Sequence, residues 1–381
     1  MENKIDYQMI CDETIKLLQA HEWKQSYSKY LSNWARYTKK ATNYNEIKSL
    51  IRNGFYNANK GLSESLYFEQ NFGLYTSVSV ESKHYDLRFR GLSIADFHFD
   101  RKNRKVFDKP SFNEQKEGSK KTPKLVQLLG EKQAKEWATG EKNIPIEKWS
   151  ELSRMFVPEN IRKDYYNEAV VESALLNHIN KHNKKDSPFS NITAITRPKE
   201  KTAYFQFNTP LSCSDIHKFY CQKEKPITEF LKYPEGGPSD GGGIDILCRR
   251  GRGGSSIVQV VEVKDSYLDN EQPQYAISQA IAYSTFLLRL LRSDEVSCET
   301  DGSLSWWKII VGHRKKDSPL LIEAVVVIPP NPNGETILDF IDKEIYVPWE
   351  NGDKKDTIRL KYIPFIQGNV REESFSFKYI R

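Results

Sequence analysis

Three charged residues interrupt runs that otherwise read as protein interior. In "GGGIDILCRRGRGGSSIVQVVEVKD", Gly241 to Asp265, Asp245 stands inside one apolar run, and Glu262 and Lys264 stand inside the next. Residues two apart on a strand point to the same face, so Glu262 and Lys264 present their head groups together while Val261 and Val263 face the other way. The glycine-rich turn "GRGG" separates two strand-like stretches, and pairing across it carries Asp245 toward Glu262. Burying unpaired charge is costly, so two carboxylates beside an ammonium call for a counter-ion. Hard oxygen donors suit magnesium, with manganese as a substitute, better than zinc. Asp245, Glu262 and the carbonyl of Val263 are the candidate ligands. A cation held there stabilises charge on a phosphate and acidifies a bound water, and Lys264 is placed to orient that water. Phosphodiester hydrolysis is the chemistry this set of groups suits.

The flanking elements supply further candidates. The helix expected over "PQYAISQAIAYSTFLLRLLRS" opens at Pro273 and places Gln279 and Tyr283 four residues apart, on one face. Upstream, "DYYNEAVVESALLNHINKH" has Ala169, Leu175, Leu176 and Ile179 on an apolar stripe and carries Glu168 and Glu172 one turn apart.

Taken together, "GGIDIL", "EVK" seventeen positions on, "QAIAY" and the glutamate helix resemble the motifs of the PD-(D/E)xK nuclease superfamily, over roughly Asp164 to Ile328. The resemblance implies an α/β, restriction-endonuclease-like core, a mixed sheet flanked by helices. It makes Glu172 the helix carboxylate, with Glu168 as the fallback, and adds Glu172 to the metal ligands. Gln279 and Tyr283, similar to the QxxxY motif of the RecB-like branch, would contact the metal-bound water or the substrate backbone. The proline of the family label is absent, Ile244 standing in its place, and a long insertion from Asn208 to Asp240 precedes the strand.

Other signals have plainer readings. His178 and His182 have a zinc-compatible spacing but lack a third ligand, and they sit near a helix C-terminus, where histidine is favoured anyway. Tyr267 serves equally for base stacking or packing. The odd cysteine count, five without a CxxC pair, points to reduced packing residues rather than a disulfide framework or zinc ribbon. "GRGGSS" lacks the lysine of a phosphate-binding loop, so ATP-driven translocation would need a partner subunit.

The chain length of 381 residues divides naturally into an N-terminal α+β domain (1–125), a helical connector (126–162) and the nuclease domain (163–381). Helical periodicity fills the first sixty or so residues, and alternation from Leu66 to Phe107 reads as an antiparallel meander. The basic stretch Arg101 to Lys124 reads as a loop, either a solvated connection or a phosphate-contacting arm. Further strands are expected at "WWKIIVGH" and "LLIEAVVVIPP", and hairpins at "ITAITRPKEKTAYFQF" and "EIYVPWENGDKKDTIRLKYIPF". A net charge of +6 favours an acidic partner. No run is long and apolar enough to span a membrane, and no signal peptide opens the chain, so the cytoplasm is the expected compartment. The leading expectation is therefore a magnesium-dependent deoxyribonuclease, with a role in restriction or phage defence and a homodimer for cutting both strands. The alternative is an inactive module that keeps the fold for nucleic-acid binding or assembly.

Overall fold

The computed structural model describes residues 6–20, 22–40, 72–75, 84–89, 92–100, 105–109, 168–181, 192–195, 207–211, 242–251, 256–264, 272–298, 301–312, 314–330, 340–350, 352–367 and 375–378. The expected connector 126–162, most of the stretch Arg101 to Lys124, most of the insertion Asn208 to Asp240, and Tyr267 and His182 lie outside them.

The chain has α/β character. Among the described residues its main sheet is mixed and has seven strands: β5 (Ile192–Ala194), β8 (Ile246–Arg250), β9 (Ile257–Val263), β10 (Leu321–Ile328), β12 (Lys355–Gln367) and β11 (Glu344–Pro348), side by side in that order, with β13 (Phe375–Phe377) paired to β12. Strands β8 and β9 form the expected antiparallel pair, as do β11 and β12. The crossover from β9 to β10 runs through a 21-residue helix, Gln272–Arg292, and brings β10 back parallel to β9. Parallel neighbours need such a connection, because a short turn reverses the chain.

The sequence of β10, "LIEAVVVI", lacks the alternation of a half-exposed strand because both faces of β10 are covered. Ile322, Ala324 and Val326 point into one apolar cluster, which holds Ala276, Ile277, Ala280 and Phe286 of the crossover helix. Val325 and Val327 point into a second cluster with Val171, Leu175 and Leu176 of the helix Glu168–Lys181.

Helix α1 (Tyr7–Gln19) is capped by Asp6, whose carboxylate accepts from the backbone N–H of Gln8 and Met9 at 3.0 and 3.2 Å. Its buried stripe of Ile10, Ile15, Leu17 and Leu18 joins Trp23, Tyr27, Tyr30 and Trp34 in the same cluster as the crossover helix. Trp34, Tyr30 and Tyr27 belong to α2 (Lys24–Lys40). These two N-terminal helices thus complete the core above one face of the main sheet. In chain order the helices Glu168–Lys181 and Gln272–Arg292 are α3 and α4. The remaining strands of the N-terminal half, β1 (Phe72–Tyr75), β2 (His84–Phe89), β3 (Leu92–Asp100) and β4 (Lys105–Lys109), make an antiparallel four-stranded meander in sequential order.

Three local expectations change. "WWKIIVGH" is a single π-helical turn, Trp307–Val311, rather than a strand. Trp306, Trp307, Ile310 and Val311 are buried while Lys308 is exposed, a three-to-four-residue repeat that only a helical turn can satisfy. The two described ends of the stretch expected to fold on itself pair elsewhere, β5 with β8 and β6 (Phe207–Asn208) with β7 (Gly243–Ile244). Lastly, the loop expected from Arg101 contains β4, whose "KVFDK" pairs along β3. The second strand of the "IPF" hairpin, β12, is 13 residues long because it pairs with three different neighbours, β10, β11 and β13.

Candidate metal centre

The site forms at the carboxyl end of β9, where three elements converge. Ile246 of β8 is opposite Val261 of β9. One step further along that antiparallel register, Asp245 meets Glu262. Asp245 occupies the bend at which the chain leaves β7 and enters β8. Its Oδ2 accepts a hydrogen bond from the backbone N–H of Val263 at 2.8 Å, which locks the carboxylate against β9. Lys264 continues the parallel pairing by donating its backbone N–H to Val327 of β10 at 2.8 Å. Glu168 arrives from the first turn of α3, on the opposite face of the sheet from α4.

Four side chains meet here. Lys264 Nζ lies 3.0 Å from Glu262 Oε1 and 3.2 Å from Glu168 Oε1, and donates to the carbonyl of Val263 at 3.0 Å. One carboxylate oxygen from each of Glu168, Asp245 and Glu262 lies within 4.8 Å of the other two. Asp245, Glu262 and Lys264 are buried, whereas the Glu168 side chain is 44% exposed and forms the open side. With all four groups ionised, three negative charges and one positive leave a balance of −2, which a divalent cation would match.

The electrostatics carry the same message. Burial, reinforced by Glu262 and Glu168, holds the Asp245 carboxyl well above the usual carboxylate range, against the opposing pull of Lys264. Burial likewise raises Glu262 from 4.5 to about 7, with Glu168 and Glu172 adding to the effect and Lys264 opposing it. For Lys264, burial favours the neutral amine but is outweighed by Glu262, Glu168 and Asp245, and the ammonium is held well above its ordinary range. These carboxylates thus crowd one another beyond what a single lysine neutralises. The fit to a metal is visible in one atom. Among the described residues Glu262 Oε2 is buried without a hydrogen-bond partner, a costly arrangement that a cation would relieve. An all-oxygen donor set of this kind, three carboxylates open on one side, could hold a metal ion.

The remaining candidates fall as follows. Glu168 is the helix carboxylate in contact with Lys264, while Glu172, one turn further along α3, is buried at 5% exposure and acts on Glu262 through its charge. The carbonyl of Val263 is engaged by Lys264 Nζ. Gln279 and Tyr283 lie on α4, which covers the sheet face that bears Glu262. Gln279 is 2% exposed and its Oε1 has no hydrogen-bond partner among the described residues, whereas Tyr283 is wholly buried in the apolar cluster with Phe286 and Trp306. The sequence reading missed Tyr275, whose ring centroid is 5.9 Å from Lys264 Nζ. Its signal was present: Tyr275 precedes Gln279 by one helical turn, extending the same face toward the site. His178 packs its ring 5.2 Å from Phe377, consistent with a packing role. Cys11, Cys248 and Cys298 are buried.

Among the described residues, no helix is long and apolar enough to cross a membrane. The chain matches no protein-family model, no curated protein and no solved structure. Its site therefore rests on its own geometry.

Proposed function

We propose that this protein is a magnesium-dependent nuclease that hydrolyses phosphodiester bonds of DNA, built on a PD-(D/E)xK-type core and suited to restriction or phage defence. The observation that carries this reading is the convergence of Glu168, Asp245, Glu262 and Lys264 at one strand end, with Glu262 Oε2 left unpartnered. Carboxylates from a helix and two adjacent strands would hold the cation, with manganese able to replace magnesium. When bound, the cation supplies charge to offset that developing on the phosphate and makes a water more acidic.

The chain's own groups account for the rest. The three N–H donors of Lys264 are spent on Glu262, Glu168 and the Val263 carbonyl. Glu168, Asp245 and Glu262 would hold the cation, and Lys264, which lies against two of them, would be placed to donate to a phosphate oxygen or to orient the attacking water. The backbone N–H of Val263 holds Asp245 in place throughout. The ring of Tyr275, its centroid 5.9 Å from Lys264 Nζ, offers the ammonium a cation–π contact. An overall charge of +6 favours encounter with a polyanion.

The test is incubation of purified protein with supercoiled plasmid, linear duplex and RNA, in magnesium and in EDTA. Magnesium-dependent cleavage of DNA that Asp245→Ala abolishes supports the proposal. DNA binding without cleavage by the wild type points instead to a recognition module, and cleavage confined to RNA overturns the substrate assignment.

A further inference from the structure

Among the described residues, a cavity lies away from the metal centre, at the far end of α4. It measures about 570 Å³, opens to solvent on one side, and is lined by α1, the start of α2, the end of α4 and the turn between β11 and β12. This size falls in the range of small-molecule sites. Its apolar wall is Ile15, Leu18 and Trp23, all buried. Into that wall projects Arg289, only 6% exposed.

Arg289 is poorly served by its surroundings. Among the described residues its Nε is buried without a hydrogen-bond partner, and the carboxylate closest to it, Glu350 Oε1, stands 3.8 Å from Nη1, too far for a hydrogen bond. A guanidinium offers donors in a planar fork that fits a carboxylate on two bonds. By contrast, Arg292, three residues along the same helix, has its fork filled by Asp356 at 2.8 and 2.5 Å. Arg289 lines the cavity while its guanidinium Nη1 stands beyond hydrogen-bond reach of Glu350, a placement that suits an anion from outside.

The rim decides what kind. Glu22, Glu295 and Glu350 contribute three negative charges against the two positive charges of Arg289 and Lys24, and Lys24 is already paired with Glu295 at 2.5 Å. A lining with a balance of −1 repels a polyphosphate. It accepts a ligand whose single anionic group meets Arg289 while a cationic group meets the acidic rim. We infer that this cavity binds a small zwitterion, an apolar amino acid, with its carboxylate on Arg289, its ammonium toward Glu350 and its side chain against Ile15, Leu18 and Trp23. The inference is independent of the nuclease reading.

The experiment is differential scanning fluorimetry followed by calorimetric titration of the full chain. The probes are leucine, phenylalanine and tryptophan, with 3-phenylpropionate, phenethylamine and ATP as comparisons. At least one amino acid should raise Tm by about 2 °C or more at saturation, ahead of its desamino and descarboxy analogues. Arg289→Met, which keeps the apolar volume and removes a poorly paired charge, should fold with unchanged or higher Tm and lose the ligand response. Gln19→Trp, on the exposed rim, should block the cavity with Arg289 intact. Absence of any response to the amino acids overturns the assignment, as does a response that survives in Arg289→Met or a stronger response to ATP.

Discussion

Replacing Glu262 by Gln should stabilise the metal-free protein at alkaline pH, although it removes an ion pair with Lys264. The magnitude follows from the environment. Burial and neighbouring carboxylates raise the Glu262 carboxyl from 4.5 to about 7, with the contribution of Lys264 already included. At about 1.4 kcal/mol per pH unit, a shift of that size means that ionised Glu262 costs the folded state about 3 kcal/mol. Because the folded value is raised, the stability linked to this group is fully present below pH 4.5 and is lost as pH rises through about 7. Wild-type protein in EDTA should therefore lose stability over that window, whereas Glu262→Gln has no charge to lose at this position. The lysine keeps Glu168 and the Val263 carbonyl in the variant. Thermal unfolding in EDTA at pH 5, 6, 7 and 8 should show the two proteins alike at the acid end and the variant several degrees higher at pH 8. Adding magnesium should invert that order, raising the wild-type Tm while leaving the variant nearly unmoved. A variant that is less stable than wild type in EDTA at pH 8, or that gains as much from magnesium, would refute the reasoning.

Other perturbations separate the roles of the neighbouring groups. Lys264→Met leaves Glu168, Asp245 and Glu262 without their ammonium, so cleavage should fall by about 100-fold or more, and the metal-free Tm at pH 8 should drop; gel assays and fluorimetry read both. Glu168→Gln should remove most of the magnesium-dependent rise in Tm, because Glu168 belongs to the oxygen cluster, while Glu172→Gln should retain most of it; the reverse result makes Glu172 the ligand. Away from the site, Asp356→Asn should destabilise the fold by about 3 kcal/mol, measured by denaturant titration, since it strips the charge partner from buried Arg292. Asp356 also accepts from the backbone N–H of Leu320 at 2.7 Å, so the same change loosens the start of β10.

Local pattern carried the main elements. Alternation announced the four-stranded meander, the apolar run broken only by Glu323 announced β10, and Pro273 with a long amphipathic stretch announced α4. These signals are legible because they depend on which face of an element meets water, a property encoded within a few residues. Pairing of the two "ITAITRPKEKTAYFQF" ends was not legible, because β8 and β7 compete for them from about 40 to 60 residues away. Similarly, the tryptophan pair at Trp306 and Trp307 reads as strand until the core demands burial of residues three and four apart.

The candidate site divides along the same line. Spacing alone brought Asp245, Glu262 and Lys264 together, since strand period and a single antiparallel register are local geometry. Spacing could not say which acid in an apolar strand is chemical. Glu323 in "LLIEAVVVI" interrupts its strand just as Glu262 does and is 1% exposed, yet Arg250 and Gln259 satisfy it from neighbouring strands. Glu262 keeps an unpartnered oxygen. Nor could spacing choose between Glu168 and Glu172, which share a face of α3: that depends on how far the helix start overhangs the end of β9. Residue type and period determine what a segment presents. Which charge is answered, and which is left for a ligand, is decided by groups that only the folded chain brings within a few ångströms.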